Sequence, residues 1–494
     1  MIPKYFPYEK PRPQQHEIWM FLDELDNSNI LIEAPTGVGK TAAVLSYLLE
    51  KYSRIAWFCF TKKEREVVVR ELQKIQEKYP IDFIEIRSIY DACHYVKSQL
   101  LKLSKQGVCY PFPRQYCMHS KFKGCPLSPK CPFEKQFISD ARVKVLTYAW
   151  LCYPSRIEPL IQKSDVVVFD ECHHIILPQT FTIPMEYISR ALREAELFSV
   201  KAKFITALSK REKVIEVNED EICYLIQRGE EILYKQGISY LFEVTDIVRA
   251  SSTEKLFRTK EGYQGLIILY DTLKKIAKSK KTVFISATVP KPYSRLLRNV
   301  LGNLSEYRVK QHYYDFYVII HVAKKLPKRK WTRNIIEYIE SVLNTISRFF
   351  PRIIIVFPSS DLLSKYTRIA ELPLNSEVII AGSREAEGIT IKAQCVAVLG
   401  VPYDRVTKTT IETMRILKQY TKKPKLTAYT AKAVVKAVQA CGRVLRNNAV
   451  VVLIDSRWLK LKKLMPYWFK SNIKDVTKSI DFLEQKIAYY SLLT

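Results

Sequence analysis

The chain has 494 residues, 47% of them hydrophobic, enough to bury more than one core and, at usual domain sizes, to divide into about three or four units. Its 79 Lys and Arg against 50 Asp and Glu leave a formal charge of +29, an excess that draws polyanions and makes nucleic acid the leading partner. The start, MIPKYFPYEKPRPQQHE, has no signal-peptide core, and no run nears the roughly 20 apolar residues of a membrane span, so no membrane partner and a cytoplasmic location are expected. Charge alone does not separate nucleic-acid binding from a Lys-, Tyr- and Ile-rich host composition, and runs such as KKIAKSKK (274–281) are equally well solvated faces.

In chain order, the first strong signal is NILIEAPTGVGKT (29–41), an apolar strand running into a glycine loop and then the apolar-periodic helix AAVLSYLLEKY. Polyphosphates need backbone N–H groups brought close without side-chain obstruction, which Gly37 and Gly39 allow; Val38 lies between them. Lys40 adds a point charge toward the β and γ phosphates, and the Thr41 hydroxyl is placed to ligate Mg²⁺. Next come FTKKEREVVVREL (60–72) and a lysine- and proline-rich stretch holding Cys93, Cys109, Cys117, Cys125 and Cys131, with little apolar periodicity. DVVVFDECHHI (165–175) then reads as a central parallel strand with Asp170 and Glu171 at its carboxyl end, where open α/β sheets bind ligands. Asp170 is expected in the Mg²⁺ shell and Glu171 at the attacking water.

Residues 186–269 carry helical periodicity with few strand signals, and FISATVP (284–290) follows. From 313 on, strand and helix alternate (YVIIHVA, RIIIVFP, EVIIAGS, CVAVLGVP, AVVVLID), the pattern of a second parallel sheet. Before its last strand, QACGRVLR (439–446) sets Arg443 and Arg446 three apart, on one face of a helix.

APTGVGKT with DECHH resembles the DEAH-box side of superfamily 2 helicases, and other segments are similar to the remaining motifs of that superfamily in the right order, from residue 12 to at least 446. FTKKEREVVVREL resembles motif Ia, FISATVP motif III, IIIVFPSSDLL (353–363) motif IV, SREAEGITI (383–391) motif V and QACGRVLR motif VI. The resemblance implies that Gln15 reads adenine, that Gln439, Arg443 and Arg446 act on the γ-phosphate from the second domain, and that His173, Ser286, Thr288, Glu387 and Gly388 couple the nucleotide to movement. Thr61 and Lys62 would contact the nucleic-acid strand.

An insertion with four cysteines between motif Ia and the acidic strand further resembles the XPD/DinG-like helicases, in which four thiolates hold a 4Fe-4S cluster. Family spacing implies Cys93, Cys117, Cys125 and Cys131 as ligands, with Cys109 as the rival for one place. Zinc prefers paired knuckles with two to four intervening residues, whereas the gaps here are fifteen, seven, seven and five, so a cluster is favoured over zinc and over oxidised or free thiols. His119, between two of these cysteines, is left as a surface residue.

The expected architecture is α/β: two RecA-like motor domains with parallel sheets, a Cys-rich iron–sulfur module and a small helical arch-like insertion. The first motor domain comprises 1–90, 135–185 and 270–312, the cysteine module 91–134, the insertion 186–269 and the second motor domain 313–494. The function implied is that of an ATP- and Mg²⁺-dependent, DNA-stimulated helicase moving 5′ to 3′ on single-stranded DNA, entering at forks or overhangs, as a monomer, with RNA not excluded as a strand. A single-strand translocase or remodeller that does not unwind, and a redox-sensing binder with a decayed motor, are the alternatives. The chain departs from the family at Ala386 and Thr390 in motif V and at His174, where asparagine is usual. These changes spare the phosphate and metal groups, so ATPase chemistry is the firmer expectation.

Overall fold

The computed structural model describes residues 2–24, 29–106, 112–128, 130–310, 313, 315–328, 330–383, 392–442 and 448–494. Its frame is two parallel sheets. The first has seven strands in the spatial order Ser305–Arg308, Ile30–Glu33, Lys281–Ser286, Val166–Asp170, Ile55–Cys59, Val143–Thr147, Phe83–Glu85, all paired in parallel. The inner strands are short apolar runs such as VVVFD and IAWFC with every residue buried, as a sheet covered by helices on both faces requires. The second sheet has six parallel strands in the order Ser376–Ile380, Ile353–Phe357, Cys395–Leu399, Ala449–Ile454, Phe316–His321, Ile473–Thr477. Both sheets match the expected pair of motor domains.

Strand order positions the site. The strand Lys281–Ser286 lies between Ile30–Glu33 and Val166–Asp170, so the glycine loop, the SAT segment and the acidic pair leave three adjacent carboxyl ends. The apolar cluster on one face of the first sheet also takes in Leu417, Ala428, Ala431 and Val435 of the second domain, which places the halves in direct contact.

Between Gln179 and Ile267 the expected helices are present, among them the long pair Glu219–Gln236 and Tyr240–Ser251. They pack against a four-stranded antiparallel sheet of Gln179–Pro184, Gly262–Ile267, Lys255–Arg258 and Val214–Glu216, so this insertion is mixed α and β rather than helical alone. Gly229 lets the two long helices meet, since a Cβ there would lie 2.7 Å from the Phe242 backbone. The cysteine stretch, read as poor in periodicity, forms short helices at His94–Lys105, Pro113–Phe122 and Pro132–Ile138.

Candidate nucleotide site at the domain seam

The loop after Ile30–Glu33 turns on Gly37 (φ 83°) and Gly39 (φ 79°), a region that glycine enters at no steric cost. The helix Lys40–Lys51 then opens toward it with free amides and the positive end of its dipole. Gln15 lies behind the loop: its Nε2 donates to the Gly39 carbonyl at 3.2 Å and its Oε1 accepts from the Arg12 N–H at 2.8 Å. The Arg12 guanidinium donates to the Gly37 carbonyl. In this state the glutamine expected against adenine therefore braces the loop, and Arg12, which the motif reading passed over, does so too.

A cavity of about 640 Å³ opens here, within the usual range for small-ligand pockets. Its lining includes Gln15, Gly37, Gly39, Lys40 and Thr41 from the first part of the chain, Asp170 and Glu171 from the acidic turn, and Gln439 from the second domain. The Val38 side chain is instead fully buried in the core behind the loop, which leaves only its backbone for a ligand. Glu64 and Lys63 of the helix Lys62–Gln76 also face the cavity.

Asp170 ends its strand and Glu171 follows with φ 51°, a left-handed conformation that costs a non-glycine residue about 1 kcal/mol or more. Three hydrogen bonds hold that turn. Tyr148 Oη donates to the Asp170 carbonyl, Cys172 N–H to the Ile285 carbonyl at 2.9 Å, and Glu171 N–H to Asp170 Oδ1 at 3.0 Å. Burial, and then the neighbouring Glu171 carboxylate, push the Asp170 carboxyl above its ordinary value. Burial also opposes ionisation of Glu171, but Lys40, whose Nζ lies 3.9 Å from Oε1, and the hydrogen bond from His173 outweigh it and hold Glu171 low. The pair is thus split, with Glu171 the carboxylate that keeps its charge.

A chain of hydrogen bonds crosses the seam to that carboxylate. The Gln439 amide nitrogen is 2.6 Å from His173 Nε2, and an amide nitrogen can only donate, so Nε2 accepts and the ring proton sits on Nδ1. His173 Nδ1 then donates its one proton chiefly to Ser286 Oγ at 2.8 Å and shares it with Glu171 Oε2 at 3.3 Å, and Ser286 Oγ donates to Glu171 Oε2 at 3.1 Å. Motif VI of one domain, the SAT segment and the acidic turn are joined by side chains. Beside the relay, Thr36 Oγ1 lies 3.4 Å from the Gly442 carbonyl.

Thr288 N–H donates to Ser286 Oγ at 3.2 Å, while its own hydroxyl is buried without a partner among the described residues. Arg443, Arg446, Glu387, Gly388 and Cys109, all singled out from the sequence, lie outside the described residues. Thr61 caps the helix Lys62–Gln76 through a reciprocal box with Glu64, and Lys62 pairs with Asp91 at 2.6 Å on an exposed face. His174 stacks flat on Phe60, with ring centroids 3.6 Å apart at 8°, tying the acidic turn to the residue before that cap.

In the cysteine module, Cys93, Cys117 and Cys131 share an apolar cluster with Leu100 and Phe133, and Cys125 is half-buried nearby. Burial pushes the Cys117 thiol up to about 11; Lys121 opposes this, while Cys131, Cys93 and Cys125 add to it, so the four implied ligands feel one another. Among the described residues, no group of three or more His, Cys, Asp or Glu side chains is close enough to hold a metal ion. The rest of the module is fastened to the insertion. Gln115, fully buried, donates to the Ser239 carbonyl at 2.8 Å and to Glu243 at 3.0 Å, and accepts from Ser239 N–H at 2.8 Å. His119 faces Gly237 and has Nδ1 3.2 Å from the Leu233 carbonyl, which gives it a place in that joint.

Fold and site together define a two-domain P-loop nucleotide motor. Two family models match the chain: the res subunit of type III restriction enzymes over residues 9–206 and the helicase C-terminal domain over residues 333–472. The ATP-dependent DNA helicase XPD of Sulfolobus acidocaldarius is 22% identical over 548 aligned positions, which take in 91% of this chain and 95% of that one. A probable ATP-dependent helicase of Methanocaldococcus jannaschii is 23% identical over 195 positions, 35% of this chain and only 30% of the relative. A solved XPD helicase superposes with a TM-score of 0.67 at 19% identity, covering 95% of this chain and all of the other. Xpd4 of S. tokodaii does so with 0.62 at 13% identity, covering 94% and 99%. The resemblance read from the motifs is borne out: the chain is similar along nearly its whole length to XPD-like helicases of superfamily 2, and its domain pair is that of an ATP-hydrolysing helicase enzyme. No helix among the described residues is long and apolar enough to cross a membrane.

Proposed function

We propose that the chain is an ATP-dependent DNA helicase that translocates 5′ to 3′ on single-stranded DNA, entering at forks or overhangs, with a 4Fe-4S cluster in the cysteine module. The observation that carries this reading is the relay from Gln439 through His173 and Ser286 to Glu171, which makes the catalytic carboxylate of one domain sensitive to the position of the other.

Lys40 and the loop amides grip the polyphosphate, and Thr41 with Asp170 would hold Mg²⁺, which when bound neutralises charge on the transferring phosphoryl group. Glu171, kept ionised by Lys40 and His173, orients the attacking water and takes its proton as oxygen bonds to the γ-phosphorus and the bond to the β–γ bridging oxygen breaks. Arg443 and Arg446 of the QACGRVLR motif would supply the positive charge that this step develops a need for. Opening of the seam after hydrolysis would then advance the strand held along both domains, with Thr61 and Lys62 among its contacts.

Cys93, Cys117, Cys125 and Cys131 would hold the cluster: three of the thiols border one apolar core and the charge of the other three is felt at Cys117, so that the four, which stand too far apart here to hold a metal ion, would draw together around an iron–sulfur group. When bound, the cluster supplies a rigid cross-link to the module rather than any part of hydrolysis.

The test is DNA-stimulated ATPase together with unwinding of a 5′-overhang duplex by anaerobically purified protein of measured iron content. Turnover with 5′-directed unwinding supports the reading. Turnover with single-strand movement but no unwinding would replace it with a translocase, and no turnover above the Lys40→Ala blank would sink it.

A further inference from the structure

Three consecutive carbonyls of the SAT segment are taken by three different parts of the molecule. Ile285 O accepts from Cys172 N–H beside the acidic pair at 2.9 Å, and Ser286 O from Ala34 N–H at the start of the glycine loop at 3.0 Å. Ala287 O accepts from Trp468 Nε1 of the second domain, also at 2.9 Å. Trp468 belongs to none of the helicase motifs. It sits in the short helix Tyr467–Lys470, 1% exposed, with its ring against Phe316 at 6.0 Å inside the second domain's core.

We propose that Trp468 is a positioning residue for hydrolysis: by fixing the Ala287 carbonyl from the opposite domain it holds Ser286 under Glu171, so the catalytic carboxylate is aimed only while the seam is closed. The inference rests on the hydrolytic reading of this site. Gln439 and Thr36 border the nucleotide cavity, whereas Trp468 stands outside it and bonds to backbone. Indole N–H is a donor with no acceptor role, and its bond to the Ala287 carbonyl crosses the seam, so that contact exists only while the two domains meet. Because Ala287 sits between Ser286, which donates to Glu171, and Thr288, which donates back to Ser286 Oγ, a shift of its carbonyl alters both.

The test replaces Trp468 with β-(3-benzothienyl)alanine, which keeps the bicyclic shape and lacks the N–H, and in parallel with Trp468→Phe, each checked for an unchanged thermal transition. DNA-stimulated kcat should fall about tenfold in the isosteric variant with KM for ATP within about twofold of the parent, the signature of an interaction made in the transition state. Combined with Ser286→Ala, the loss should be clearly less than the product of the two single losses, because both act through one hydroxyl. An isosteric variant with parental kcat, a change confined to KM, or full multiplicativity with Ser286→Ala overturns the proposal while parental turnover leaves the ATPase reading standing. Parental turnover no higher than that of Lys40→Ala overturns both.

Discussion

The nucleotide seam and the cysteine module are organised by opposite means. At the seam, polar side chains satisfy one another completely enough to fix a chain of donors from Gln439 to Glu171, and two domains contribute to each other's geometry. In the module, short helices set Cys93, Cys117 and Cys131 around one apolar cluster, while the polar contacts of Gln115 and Arg114 go outward, to the insertion. The first region is built to sense a small charged ligand, and the second to be fastened. A polar relay fails when any link is removed, whereas an apolar scaffold tolerates the loss of a single polar contact.

Lys40→Ala should break the seam most deeply, reducing ATP turnover to the level of blank reactions while strand binding, followed by fluorescence anisotropy, stays largely intact. Gln439→Ala should lower kcat on the order of a hundredfold, at the low end of what a positioned general base contributes, with the module unaffected as judged by its visible absorbance. Cys125→Ser should do the reverse, bleaching the protein and costing unwinding more than ATPase; undiminished absorbance would remove Cys125 from the ligand set. Gln115→Ala leaves Ser239 N–H unpaired in a buried joint, so the module and insertion should lose about 1–3 kcal/mol of local stability, read as faster hydrogen exchange there.

The smallest effect expected is a pH dependence at the cavity wall. Burial, with repulsion from Glu171, pushes Glu64 up to about 8 from an ordinary 4.5. Between those values the folded chain keeps a proton that the unfolded chain has lost, so stability falls as pH rises across that window. Glu64→Gln, which still caps Phe60 and Thr61 through its carbonyl, should flatten that decline in denaturant melts run at a series of pH values.

What could be read from the sequence follows the same division. The glycine loop, the acidic turn and the QxxGR helix were legible because phosphate chemistry demands particular residues at fixed spacing after a strand. The two parallel sheets were legible because buried strands read as unbroken apolar runs. The antiparallel sheet of the insertion was not, since strands such as Val214–Glu216 and Lys255–Arg258 are too short to alternate, and Gln179–Pro184 pairs with a segment some eighty residues away. The edge strand Ile473–Thr477 was missed because IKDVT mixes charge into its pattern. Contacts made by a backbone carbonyl, such as Ala287 with Trp468, leave no mark on residue identity at the acceptor, and no spacing rule could have found that pair. Gln15 and His119 were each assigned to solvent-facing or ligand-facing roles that local sequence supports, whereas their partners lie in distant segments.

Leu417, Ala428, Ala431 and Val435, carried by the second domain yet sunk into the first domain's apolar face, restrict how the machine can flex. Prising that patch apart would wet four oily side chains, at an expense of roughly 25 cal/mol for every Å² uncovered, with no new partner to compensate. Rotation about the patch uncovers far less. Any opening of the seam would therefore turn about this patch like a greased hinge pin, with travel greatest at the rim far from these residues, and a bulky polar group grafted onto Ala431 would jam it without touching the fuel.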